Sequence, residues 1–289
     1  MRYSANRKRH RKRVFMRKLF EYKEREHWSF SSINKYLNIC SLAYAFQYVY
    51  RVKPEHTSAR LIFGSAFHAA AEMLAEKRMH GKPEKAEDIK DYFSDTWLRA
   101  CRLTENICFK GNEDKNKLNA TGRSMLQCLM ENWDCNERVI GIASAFCVPV
   151  MNSENEIVTE LPLIGEIDCI VERPDGKILL IDWKTAAKKW ADGKAEKDLQ
   201  ATCFLHAYHW ENNVMAEFAF DVITKTKVPA YERCYAERTI GDFNKLARLV
   251  KTVGDAVNAG IFYPNEQSCF CADCCYADAC KEWGTESLL

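Results

Sequence analysis

Leu163–Lys184 reads LIGEIDCIVERPDGKILLIDWK: two apolar, β-branched runs, Ile164–Val171 and Ile178–Trp183, separated by Arg173-Pro174-Asp175-Gly176. Proline presets φ and glycine supplies a left-handed residue, so the stretch predicts a β-hairpin. With Pro174, Asp175 and Gly176 as the loop, Arg173 pairs with Lys177, and counting outward sets Asp168 opposite Asp182. Directly paired side chains in an antiparallel ladder have Cβ atoms about 4.5–5.5 Å apart, where like charges repel. A divalent cation between them would remove the conflict. Strand period puts Lys184 on the Asp182 face, opposite Glu166, and turns Ile167, Cys169, Val171, Leu179, Ile181 and Trp183 the other way, into a core. A surface hairpin with solvated charges is the alternative. Both runs are apolar on both faces, however, as central strands covered on two sides are, and buried charges need partners.

The 289 residues, 47% of them hydrophobic, suffice for one large domain or two small ones. No apolar run approaches the ~20 residues that span a bilayer, and no short apolar segment follows the basic start as in a secretory signal. The expected location is the cytoplasm. Net charge is only +2, yet Arg2, Arg7, Lys8, Arg9, Arg11, Lys12, Arg13, Arg17 and Lys18 carry nine positive charges with no acid among residues 2–18, leaving −7 elsewhere (+2 − 9). A basic arm of this kind, over residues 1–27, can lie along phosphates without reading sequence. A solvated tail, or a true start at Met16, is the alternative.

Fourteen cysteines without a sign of export are expected to be thiols or metal ligands rather than disulfides. Cys101, Cys108, Cys128, Cys135, Cys147, Cys169, Cys203 and Cys234 lie among apolar residues and are expected to fill the core. Cys269, Cys271, Cys274, Cys275 and Cys280 are clustered instead.

Elsewhere the pattern is mostly helical. Trp28–Tyr50, with N-cap candidates Ser29, Ser31 and Ser32, predicts one or two helices containing Cys40. An Ala-rich helix starts at Phe63, carries His68 in its first turns and ends at Gly81; two more lie around Ile89–Cys101 and Leu118–Cys135. Ile140–Met151 reads as a strand leading into the hairpin. Glu196–Trp210 follows as a helix, with Leu199, Cys203, Ala207 and Trp210 on its inner stripe and Gln200, Phe204 and Tyr208 beside them. Ala216–Thr226 and Tyr231–Arg238 form a strand pair, and Phe243–Ala259 is a closing helix stopped by Gly260.

Asp168, followed across the hairpin by Asp182-Trp183-Lys184, resembles the PD-(D/E)XK nuclease superfamily, whose motif ends in acid, spacer and lysine. Ile167 stands where the motif has proline, a relaxation common in the RecB-like branch. The order Gly64, His68, Asp168, Asp182-x-Lys184, Gln200 is similar to that branch, in particular to stand-alone exonucleases of the CRISPR-adaptation and phage-recombination type and to the AddB-type nuclease domain. No helicase motif accompanies it. The resemblance covers residues 28–284 and implies a single α/β domain: a mixed β-sheet flanked by helices, with a helical insert over about 84–136 and a cysteine-cluster segment over about 261–284. It implies His68, Asp168, Asp182 and the Trp183 main-chain carbonyl as metal ligands, with Lys184 and Gln200 completing the catalytic set. Oxygen donors plus one imidazole suit Mg²⁺ or Mn²⁺.

Where the family has tyrosine four residues after the glutamine, this chain has Phe204. Tyr208, one turn on, could reach a DNA backbone in its place, or be an ordinary core or surface tyrosine. By spacing, Cys271-x2-Cys274-x5-Cys280 fits zinc or iron–sulfur. The resemblance, with Cys40 as the early fourth thiolate, implies a [4Fe–4S] cluster, with zinc as the alternative and Cys269 and Cys275 left over. The implied function is a metal-dependent exonuclease acting on single-stranded DNA or duplex ends, in recombination, end-processing or phage/CRISPR-type DNA metabolism. A recombination partner protein belongs to the same expectation. The rival is a non-catalytic or zinc-stabilised DNA-binding adaptor on the same fold, against which paired acids facing an anion argue.

Overall fold

The computed structural model describes residues 19–154 and 156–285; the basic run of residues 2–18 lies outside them. Five strands, β1 (Arg138–Val148), β2 (Leu163–Glu172), β3 (Ile178–Ala186), β4 (Glu217–Thr224) and β5 (Tyr231–Tyr235), form one mixed sheet in the order of the chain. Neighbours are antiparallel except β3 and β4, which are parallel. A parallel pair needs a crossover, and the helix between these strands supplies it. The longer helices are α1 (Ala59–Met79), α2 (Ala86–Leu103), α3 (Lys115–Asn132), α4 (Leu199–Asn212), α5 (Ile240–Asn258) and α6 (Ala277–Thr285). Among the described residues no helix is long and apolar enough to cross a membrane.

The sheet is covered on both faces, as its apolar strands require. Phe63, Phe67, Ala70 and Leu74 of α1, Phe93 and Trp97 of α2 and Leu126 of α3 pack on Cys169, Val171, Leu179, Ile181 and Trp183. Phe204 and Ala207 of α4 and Leu246 and Val250 of α5 pack on Phe146, Ile170, Leu180, Phe218 and Phe220.

The hairpin loop forms as its residues dictate: Arg173 N–H donates to Lys177 O at 2.9 Å, Gly176 N–H to Arg173 O at 2.8 Å, and Gly176 has φ +80°. The ladder runs from Glu172↔Ile178 to Cys169↔Ile181, and one step further the same count aligns Asp168 with Asp182. There the pairing stops. On its other side β2 skips from Cys169↔Ile142 to Ile167↔Ser144, and Ala143, across from Asp168, has φ +44°, unusual for a residue with a Cβ. Asp168 therefore sits at a break in both ladders. Strict alternation does not survive this break, and Ile167 packs in the α4–α5 core rather than beside Cys169.

Other expectations need correction. Cys40 is not inside a helix: helical Phe30–Asn34 passes into a π-helical turn, Lys35–Ile39, and Cys40 is extended (φ −169°) before Ser41–Tyr44 resumes. The helix expected over Glu196–Trp210 breaks at Asp198, whose carboxylate accepts the Gln200 N–H at 3.1 Å and starts α4 afresh. Trp210 is 49% exposed, because residues 200–207 already fill both flanks of the helix. Cys128, Cys169 and Cys203 are buried, but Cys108, Cys135 and Cys147 are exposed. They lie respectively on a two-residue strand, in the turn after α3 and on edge strand β1.

Candidate active site

Alpha-helix α1 begins with Ser58, whose hydroxyl accepts the Arg60 N–H, and buries an Ala- and Phe-rich face on the sheet. That seating brings His68 to the ladder break, with Nδ1 3.2 Å from Asp168 Oδ2. The same oxygen accepts the Trp183 N–H at 2.9 Å, so a carboxylate replaces the missing backbone partner where the ladder opens. Burial alone would lower the His68 pKa, but the adjacent Asp168 carboxylate outweighs it and raises it to about 9. His68 and Asp168 form an ion pair at neutral pH.

Asp182, Lys184 and Gln200 close a triangle. Gln200 Nε2 donates to Asp182 Oδ1 at 2.5 Å, Lys184 Nζ donates to Gln200 Oε1 at 2.8 Å, and Lys184 Nζ lies 2.6 Å from Asp182 Oδ2. Asp182 is 2% exposed, and burial pushes its carboxyl above the usual range against the pull of Lys184. Burial would also strip the Lys184 proton, but Asp182 and then Asp168 keep it an ammonium. The amide of Gln200 joins an acceptor and a donor that differ in charge, which a glutamine can do and a carboxylate cannot.

Asp182 Oδ2 is buried and has no aligned hydrogen-bond donor. The buried carboxylate oxygens of Asp168 and Asp182, with the His68 imidazole beside them, are donors that Mg²⁺ or Mn²⁺ takes, so the donor set fits such an ion. Among the described residues no three His, Cys, Asp or Glu side chains close on one point as a finished metal site. Asp168 and Asp182 instead turn to His68 and to Lys184 with Gln200.

Two acids absent from the sequence-level set join this group. Glu72, one helical turn beyond His68, is raised to about 7 by burial and then by the carboxylates of Asp168 and Glu166. Glu166 is raised by burial and by Asp168. Its expected position opposite Lys184 is not paired in the ladder. The spacing of His68 and Glu72 could have revealed the first; the strand period, which sets Glu166 two residues before Asp168, could have revealed the second. Tyr208 is partly buried against the α4–α5 core.

Cys40, Cys271, Cys274 and Cys280 line one cavity of about 240 Å³, together with Leu42, Phe46 and Tyr276; Cys269 and Cys275 are not in its wall. Cys40 Sγ accepts the N–H groups of Ala43 and Asn265, each at 3.4 Å. Hydrogen bonds of Ser41 with Tyr263 and of Asn265 with the Ile39 carbonyl pin the N-terminal helical segment to the C-terminal chain.

No curated protein matches this chain. Among solved structures, the crystal structure of a candidate exonuclease from Eubacterium rectale is 13% identical, with a TM-score of 0.55 over 94% of this chain and 91% of that one. At that identity the likeness is one of fold. A crystal structure of SSO0001 is 12% identical over 87% of this chain and 95% of that one, and its TM-score of 0.35 carries no argument. The model of the PD-(D/E)XK nuclease superfamily matches residues 27–281, across the hairpin, the helix of His68 and the cysteine segment alike, and the chain belongs to that superfamily.

Proposed function

We propose that the protein is a Mg²⁺- or Mn²⁺-dependent DNA exonuclease of the RecB-like branch, with its termini held by a [4Fe–4S] cluster on Cys40, Cys271, Cys274 and Cys280. The observation that carries the nuclease reading is the Asp182–Lys184–Gln200 triangle beside the His68–Asp168 pair at the open ladder. His68, Asp168, Asp182 and the Trp183 carbonyl would hold the ion. When bound, it supplies a water of lowered pKa and positive charge against the phosphate. His68 must give up its proton to ligate, since only the neutral imidazole has a lone pair to offer. Lys184, held as an ammonium, cannot be the base; it donates to the attacking water or to the oxygens on which charge develops. Gln200 keeps Lys184 aimed by holding it against Asp182. An adaptor that merely bound DNA would have no use for buried carboxylates facing an anion.

For the cysteines, Cys40, Cys271, Cys274 and Cys280 share one cavity wall from which Cys269 and Cys275 are missing, which supports a joint four-thiolate site. The domain is read as one unit over residues 28–284, with α2 and α3 as its insert.

The test is anaerobically purified protein incubated with 5′- and 3′-end-labelled single- and double-stranded DNA, with and without Mn²⁺. Release of nucleotides from an end only with metal is the expected result, absent in Asp182→Ala. Metal-independent cleavage, or full activity in Asp182→Ala, overturns the proposal.

A further inference from the structure

Beneath Trp183, on the sheet face covered by α1–α3, lies a polar circuit that the hydrolysis does not use. Asp221 of β4, fully buried, stands beside Trp183 in the parallel ladder. It accepts Arg233 Nε at 2.7 Å and Nη2 at 2.9 Å, and Tyr231 also bonds to it. The same guanidinium bonds Glu137, through Nη1 and, at 3.2 Å, Nη2. Glu137 Oε2 accepts the Trp133 indole N–H at 3.0 Å, and the Trp133 ring meets the Trp183 ring edge-on, centroids 5.8 Å apart. The circuit thus returns to Trp183, whose ring in turn stands edge-on to His68 at 6.3 Å.

We infer that Trp133, Glu137, Arg233 and Asp221 are positioning residues for the metal-binding strand, an inference that rests on the metal-dependent reading above. Two observations carry it. The Trp183 indole N–H is buried without a partner, so packing alone fixes that ring, and Trp133 is oriented by Glu137. A buried ion pair also stabilises little, because lost hydration offsets the Coulomb gain; what its directional bonds add over apolar packing is a single geometry. Here that geometry sets where the Trp183 carbonyl, the flanking Asp182 and Lys184, and the His68 ring stand.

Trp133→Phe keeps an aromatic ring and removes the donor to Glu137; Glu137→Gln keeps the shape and removes the charge. Both, with Leu246→Ala in the opposite core as a control for general destabilisation, are compared with wild type. Mn²⁺ affinity is measured by calorimetry, kcat and KM separately on end-labelled DNA, and Tm by circular dichroism. We expect Mn²⁺ affinity or kcat in the two circuit variants to fall about 10-fold or more, the scale of groups that orient metal ligands, with KM for DNA unchanged. Leu246→Ala should lose Tm only. Circuit variants that lose Tm but match wild type in Mn²⁺ affinity and kcat would make the circuit merely structural, and a wild type that binds no Mn²⁺ would also overturn the inference. A wild type that binds Mn²⁺ but cleaves no DNA sinks the nuclease reading and leaves Mn²⁺ affinity alone to decide.

Discussion

Lys184 touches both Asp182 and Gln200 yet is no ligand in the proposed set, so its removal should separate metal binding from turnover. Lys184→Ala is expected to keep a Mn²⁺-induced rise in Tm while losing about 10²-fold in kcat, the scale of a lost transition-state partner. Loss of the Tm rise in that variant would make the lysine a structural counter-charge. His68 carries a prediction about pH. Its pKa in the folded chain is raised from 6.5 to about 9, so it binds its proton more tightly folded than unfolded. The stabilisation from the His68–Asp168 pair is therefore complete below about pH 6.5 and lost as pH rises to about 9. Thermal melts in EDTA should show wild type losing Tm across that window and His68→Gln lacking that component; parallel curves would show that the pair contributes nothing. The acids and lysine of this site were legible because their type and spacing are unusual in an apolar hairpin. Glu72 was not singled out, since an acid on a helix usually faces water, and only packing against β2 turns this one inward.

At the level of elements, α2 and α3 approach closely through a glycine. A Cβ added at Gly122 would lie 2.1 Å from Cζ of Phe93, whose ring is fully buried between α1 and α3. In an isolated helix, Gly→Ala gains about 1 kcal/mol. Here overpacking, typically 1–3 kcal/mol, opposes that gain, and a ring enclosed on all sides cannot swing away. Gly122→Ala should therefore lower Tm, whereas Gly122→Ala combined with Phe93→Leu should recover part of the loss. A stabilised single variant would show that the two helices can separate at no cost. Helix type and rough extent followed from hydrophobic period, as for α1 and α5. Helix ends did not always follow: α4 starts at Leu199 because Asp198 caps it, a choice between local hydrogen bonds that periodicity does not register.

Across the whole molecule, the segment around Cys40 and the chain from Tyr263 to Cys280 meet although more than 220 positions separate them. If a cluster joins them, its binding energy is also folding energy, because the unfolded chain holds no preformed site. Protein purified without oxygen should be brown and contain about four irons per chain. Cys40→Ser, Cys271→Ser, Cys274→Ser and Cys280→Ser should each bleach it and lower solubility, while Cys269→Ser and Cys275→Ser should do neither. Colourless wild type with one zinc would replace the cluster and leave the nuclease proposal standing.

The sequence by itself determined what depends on neighbours along the chain. Pro174 and Gly176 set the loop, and the loop set the register from Glu172↔Ile178 to Cys169↔Ile181, one step short of Asp168 and Asp182. Only the tertiary structure decided what depends on residues brought from afar. His68 meets Asp168 where the ladder opens because α1 packs across the sheet, and Ile167 changes core at the same point. Gln200 reaches both Asp182 and Lys184 because the β3–β4 crossover lays α4 over the sheet. Cys147 is exposed although its neighbours Phe146 and Val148 are apolar and buried. A strand's period states which side chains share a face; it carries no information on which element, or which charge, will cover that face.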